Sequence, residues 1–157
     1  MGLSEAQLNS IRDATAQVNL WHGSIRSGKT IASLIAFLRW LPTAPPGPIA
    51  IIGKTRETIS RNLLEPIRQL HLDAIGGFTK QPTQVRIMGR RVEVIGANDA
   101  TSESKVRGLT LAGAYVDEVT LLPQAFFVQL LGRLSVTGAR LFGTTNPDSP
   151  QHWLKRE

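Results

Sequence analysis

The chain of 157 residues contains no cysteine. That excludes a disulfide framework, a thiol nucleophile and any zinc centre built on thiolates. No apolar run approaches the roughly 20 residues needed to span a bilayer, and residues 1–17 are too polar for a secretory signal. Internal repeats and low-complexity tracts are missing as well. With 41% hydrophobic and 19% charged residues, the composition is neither that of a disordered tail nor that of a fibrous repeat. Acidic side chains are scarcer than basic ones, 12 against 18, which leaves a net charge of +6. Such a balance is compatible with nucleic acid or another polyanion without proving either. What remains is a single cytosolic enzyme or binding domain spanning 1–157, since this length has room for one ordinary core.

Helical and strand patterns alternate along the chain. Ser4 to about Thr15 reads as a helix, with Ser4 and Gln7 at capping-box spacing and Leu3 and Leu8 placed for a hydrophobic staple. Val18 to His22 is a short apolar strand. Lys29 to Trp40 is an apolar helix, with Ile31, Leu34, Ile35 and Leu38 on one face. Pro42 to Pro48 holds four prolines in seven residues and is a stiff loop. Ile49 to Ile52 and Ala112 to Val116 read as buried strands. Thr58 to His71 has helical spacing through Ile59, Leu63, Ile67 and Leu70. Val85–Ile87 and Arg91–Ile95 form a hairpin around Gly89. Pro123 opens a helix to about Leu134, and Arg140–Gly143 is the last strand. This alternation predicts an α/β domain, with a mostly parallel sheet covered by helices on both faces.

The strongest motif is Gly23-Ser24-Ile25-Arg26-Ser27-Gly28-Lys29-Thr30, a full match to G-x-x-x-x-G-K-[ST] between a predicted strand and a predicted helix. Its backbone N–H groups and the helix start are suited to cradle phosphates of ATP. Lys29 is placed to bridge the β- and γ-phosphates, and the Thr30 hydroxyl to ligate Mg²⁺. Ala114-Tyr115-Val116 ends in Asp117-Glu118. Neighbours in a strand point to opposite sides, so the two carboxylates are expected to have separate tasks. Asp117 would hold the Mg²⁺ water shell, and Glu118 would polarise a water for in-line attack. The long stretch between Lys29 and Asp117 leaves room for an inserted strand–helix unit, as in the additional-strand, catalytic-glutamate branch of P-loop ATPases. A third set, Thr144-Thr145-Asn146 before Pro147, can sense the γ-phosphate or simply form a Thr/Asn turn.

In this order the motifs resemble the N-terminal ATPase domain of phage terminase large subunits. The match runs through the phosphate loop, Lys105-Val106-Arg107-Gly108, Tyr115-Val116-Asp117-Glu118, Thr144-Thr145-Asn146-Pro147 and the tail Pro150-Gln151-His152-Trp153. The resemblance implies a RecA-like P-loop fold and an ATPase that drives double-stranded DNA into a procapsid. It implies that Gln7 reads adenine, that Thr144, Thr145 and Asn146 couple hydrolysis to movement, and that Arg107 acts as a finger in a neighbouring subunit's site. Arg26 would stabilise phosphate charge in cis, although the family often carries this arginine one position earlier, where Ile25 stands.

The implied partners are DNA held through its backbone, a homo-oligomeric ring (a pentamer) on a portal, and a small terminase subunit, all in the host bacterial cytoplasm. The family's C-terminal nuclease has no counterpart in a second acidic cluster here, so no nuclease activity is expected. Lys80, Arg86, Arg90 and Arg91 are candidates either for tracking a phosphate backbone or for an ordinary solvated face. Another ATPase of the same branch, of helicase or partition type, and a nucleotide-binding module without turnover stay open as alternatives.

Overall fold

Strands with every residue buried must be covered on both faces, and β2 (Ile49–Gly53) and β5 (Gly113–Val116) are of that kind. They lie at the heart of a six-stranded sheet in the computed structural model, which describes residues 5–12, 16–22, 28–70, 72–99 and 101–145. The order across the sheet is β1-β6-β5-β2-β4-β3, with β1 spanning Val18–His22, β3 Gln84–Ile87, β4 Arg90–Gly96 and β6 Arg140–Thr145. All neighbours pair in parallel except β3 with β4.

Because side chains alternate along a strand, the two faces sort by residue parity. Ile49, Ile51, Val92, Val94, Tyr115 and Phe142 pack under α1 (Glu5–Arg12), α2 (Lys29–Trp40), α3 (Arg56–Ile59) and α4 (Glu65–Leu70). Ala50, Ile52, Ala114, Val116 and Leu141 face α5 (Ser102–Arg107) and α6 (Gln124–Arg133). Phe37, Trp40, Tyr115 and Phe142 form an aromatic cluster below α2, with ring centroids 5.4–5.8 Å apart.

Every strand expected from the sequence is present. The expected helix from Thr58 begins earlier, at Arg56, because Thr55 and Thr58 form a reciprocal capping box. It then passes through a π turn at Ser60–Leu64 before continuing as α4. Helical spacing does not reveal that turn, since Ile59, Leu63 and Ile67 stay buried across it. A further helix, α5, has no counterpart in the sequence pattern. Arg107 lies in the last turn of this short helix.

The proline-rich loop is held from the hairpin. Residues Leu41–Thr43 extend α2 as a 3₁₀ turn. The Arg90 guanidinium donates to the carbonyls of Leu41, Ala44 and Pro45 at 3.3, 2.9 and 2.8 Å. A proline has no N–H, so a segment rich in it pairs few of its neighbours' carbonyls; Arg90 supplies the donors. That contact gives Arg90 a structural task in the loop, which neither of the two sequence readings of it contained. Lys80 lies 3.8 Å from Glu57, and Arg86 donates to Gly89.

Candidate nucleotide site

The site lies where β1, β6 and β5 end together. Pairing places His22 beside Thr145 and Val116 beside Gly143, so the tip of β6 separates the end of β1 from the end of β5, where the carboxylates follow. The strand that intervenes in space comes from the end of the described chain, not from the stretch between Lys29 and Asp117. That stretch instead builds β2, β3 and β4 on the far side of β5.

Gly28 precedes α2 with φ 75°, a left-handed conformation that side chains rarely adopt. A Cβ there would also strike the Gln7 amide. The Gln7 Nε2 donates to the Gly28 carbonyl at 3.3 Å, which ties α1 to the end of the phosphate loop. Lys29 follows, 6% exposed, and its Nζ donates to the Thr145 carbonyl at 2.5 Å. Burial lowers its pKa, against the pull of Glu118 and Asp117, which raise it. Thr30 is half-buried one position on.

Across β6, Asp117 keeps a sheet hydrogen bond from its N–H to the Ile52 carbonyl, 2.8 Å. Its carboxyl is pushed up to about 6, first by burial and then by Glu118, while hydrogen bonds from Asn62 and Thr144 and the charge of Lys29 oppose the rise. Glu118 lies beyond the strand end with φ 50°. The strict alternation expected for the pair therefore stops at Val116, and both carboxylates act on the same lysine. A non-glycine residue in this conformation stores local strain, a feature concentrated at functional sites.

Thr144 joins the parts. Its Oγ1 accepts the Glu118 N–H at 2.9 Å and donates to Asp117 Oδ1 over a long 3.5 Å. Thr145 shares a 2.6 Å hydrogen bond with His22 Nδ1. Beneath the site, Tyr115 Oη and Ser33 Oγ are 2.7 Å apart, and Ser33 also donates to the Thr30 carbonyl at 2.9 Å. This link between α2 and β5 cannot be read from the sequence.

Of the expected site residues, Gln7, Gly28, Lys29, Thr30, Asp117, Glu118, Thr144 and Thr145 converge. Gly23, Ser24, Ile25, Arg26, Ser27 and Asn146 lie outside the described residues. Arg107 does not join them: α5 packs on the opposite face from α2, and its guanidinium is 3.3 Å from Glu103 one turn back. Among the described residues no three His, Asp or Glu side chains cluster to cage a metal. A hydroxyl and one carboxylate beside a phosphate loop nevertheless suit Mg²⁺, which keeps most of its waters and takes ligands from phosphates.

With β6 standing between β1 and β5, and Lys29 facing a carboxylate pair across it, the chain is a P-loop protein of the additional-strand, RecA-like class. The family is narrower than the class. Residues 20–156 match the family described as terminase large subunit, T4likevirus-type, N-terminal, and the chain belongs to it.

Among solved structures, the large terminase of a thermophilic bacteriophage is 29% identical, with a TM-score of 0.82 over 99% of this chain and 42% of that one. The same protein in complex with ADP gives a TM-score of 0.79, again at 29% identity, covering 99% of this chain and 42% of that one. The ATPase domain of the Thermus phage P74-26 large terminase, 18% identical, shares the fold with a TM-score of 0.68, covering 94% of this chain and 66% of that one. The chain thus spans about two fifths of the thermophilic phage protein it matches. No curated protein matches it.

Proposed function

We propose that this chain is the ATP-hydrolysing motor domain of a DNA-packaging terminase, converting ATP and water to ADP and phosphate in a Mg²⁺-dependent reaction. The observation that carries this reading is the tip of β6. Thr144 contacts the Asp117 carboxylate and the Glu118 backbone, and Thr145 contacts Lys29, so the segment expected to couple hydrolysis to movement is bonded to all three of these residues.

In this reading Lys29 orients the β- and γ-phosphates. Its partial desolvation strengthens that attraction, because charges interact more strongly away from water. Glu118 accepts a proton from the attacking water and aligns it with the γ-phosphorus. Asp117 and Thr30 hold the cation's water shell. When bound, Mg²⁺ offsets the charge on the phosphate oxygens during transfer. Thr144 ties the Asp117 carboxylate to the Glu118 backbone. Gln7 reads adenine while tying α1 to Gly28, and Arg26 adds positive charge in cis.

Arg107, on the far face, has no task within its own subunit's site and reaches a neighbour's. That role requires a ring of copies, a pentamer on a portal, working with a small subunit on double-stranded DNA in the host bacterial cytoplasm.

The direct test is Glu118→Gln. We expect nucleotide affinity to hold within about threefold and turnover to fall by about 10²–10⁴, the usual worth of a general base; unchanged turnover removes Glu118 from the mechanism. Arg107 is tested by concentration. Turnover per subunit should rise with protein concentration, and Arg107→Ala should flatten the rise; a concentration-independent rate counts against a shared site.

A further inference from the structure

His22 has no part in the reading above, although it ends β1 and directly precedes Gly23 at the start of the phosphate motif. Trp21, one position earlier, stacks on Phe142 beneath α2, with ring centroids 6.3 Å apart. Successive side chains of a strand point to opposite faces, so His22 turns to the other side of the sheet. The parallel ladder pairs it with Thr145, the last residue of β6. There His22 Nδ1 and Thr145 Oγ1 share their 2.6 Å hydrogen bond. The imidazole is exposed, whereas Thr145 is only 2% exposed.

Thr145 is thus held twice, by different atoms. Its side chain meets β1 through His22, and its carbonyl accepts from the Lys29 Nζ of α2, 2.5 Å away. His22 stands just before the phosphate motif and Lys29 near its end, so one residue of β6 is bonded at both ends of that motif. Strand ends open more readily than strand centres, so the direction of a terminal carbonyl depends on what else holds its residue. Threonine is stiff at χ1; once its hydroxyl is pinned, the backbone that carries it loses freedom too. An ammonium carries three donors, so the bond to Thr145 is compatible with phosphate contacts and serves to aim the group.

We propose that His22 is a positioning residue for ATP hydrolysis: by pinning the Thr145 hydroxyl it fixes the tip of β6, so that the Thr145 carbonyl holds the Lys29 ammonium toward the phosphates. This rests on the reading of the chain as an ATPase. The residue type fits the task. Imidazole carries a polar atom close to its Cβ, within reach of the residue directly opposite in the ladder, on a flat ring with few rotamers. A lysine or arginine would bring a long stem that loses more freedom when held.

The test compares His22→Ala, His22→Asn and His22→Gln with the unaltered full chain, together with Thr145→Val and the double variant His22→Ala/Thr145→Val. The readouts are kcat, KM, affinity for a fluorescent ATP analogue, and the folded fraction from thermal melts. Asparagine places its amide where Nδ1 lies; glutamine places it one bond further out, where Nε2 lies. Valine keeps the branched shape of Thr145 without the hydroxyl. We expect His22→Ala and His22→Gln to lower kcat about tenfold, as small misplacements near the chemistry do, with KM and affinity within about threefold. His22→Asn should recover most of the loss. On the Thr145→Val background, His22→Ala should cost less than about twofold more, since residues that act through one bond are not additive. An unchanged kcat in His22→Ala overturns the proposal. So does an equal loss in the Asn and Gln variants, or the full tenfold loss on the Thr145→Val background. A loss that vanishes when turnover is counted per folded molecule marks the bond as mere scaffolding and overturns it too. If the unaltered chain hydrolyses no ATP, the ATPase reading falls first, so the two failures are distinguishable.

Discussion

Lys29 and Arg90 are both basic residues turned toward backbone carbonyls, at opposite ends of one sheet, and they are held in different ways. Arg90 reaches the carbonyls of a loop whose prolines have no N–H to donate. The protein meets that guanidinium's geometry with its own atoms. Lys29 lies buried beside two carboxylates, its own pKa lowered and that of Asp117 raised, with Glu118 in a left-handed conformation next to them. One end of the sheet satisfies its charge; the other keeps its charges in tension. Strain and displaced pKa values collect where a ligand completes the arrangement.

This contrast can be broken by experiment. The largest effect is expected from Lys29→Ala, which should lower ATP turnover by at least about 100-fold with a smaller change in melting temperature than any loss at Arg90. Next comes Arg90→Ala. Freed carbonyls and a loosened loop should cost about 2 kcal/mol, a drop of roughly 4–8 °C, with turnover per folded molecule unchanged. If Arg90→Ala instead abolished turnover, or Lys29→Ala melted the protein, the two ends would not divide as described.

The smallest effect concerns Asp117. Its carboxyl, at about 6, binds its proton more tightly in the folded chain than in the unfolded one. The ionised form therefore costs stability above pH 6, and that cost fades as pH falls through 6 toward 4. Asp117→Asn, free of metal and nucleotide, should raise stability at pH 8 by about 1–2 kcal/mol, and the advantage should shrink near pH 5 in thermal melts. An advantage independent of pH would sink this account.

Much of the fold was legible because its signals are local. Ile49–Ile52 and Ala114–Val116 are apolar runs that can only be covered strands, and Gly23–Thr30 with Asp117-Glu118 announce phosphate chemistry without any tertiary information. Other features needed the third dimension. Ser102–Arg107 buries only Ser102 and Val106, too few for a period to be read. The π turn leaves the spacing of Ile59, Leu63 and Ile67 intact, so nothing in the pattern betrays it. Arg90 resembles any other hairpin arginine until the loop it clasps comes into view. The bond between Ser33 and Tyr115 joins residues that only the crossing of α2 over β5 brings together.

The place of β6 has a consequence for how the domain is made. Among the described residues β1 borders only β6, so during synthesis the strand leading into the phosphate loop waits for that partner until more than a hundred further residues have emerged. Pairings across so long a separation form late and slowly. The residues that converge at the strand tips are thus brought into register by β6, and the site cannot assemble before that strand joins the sheet.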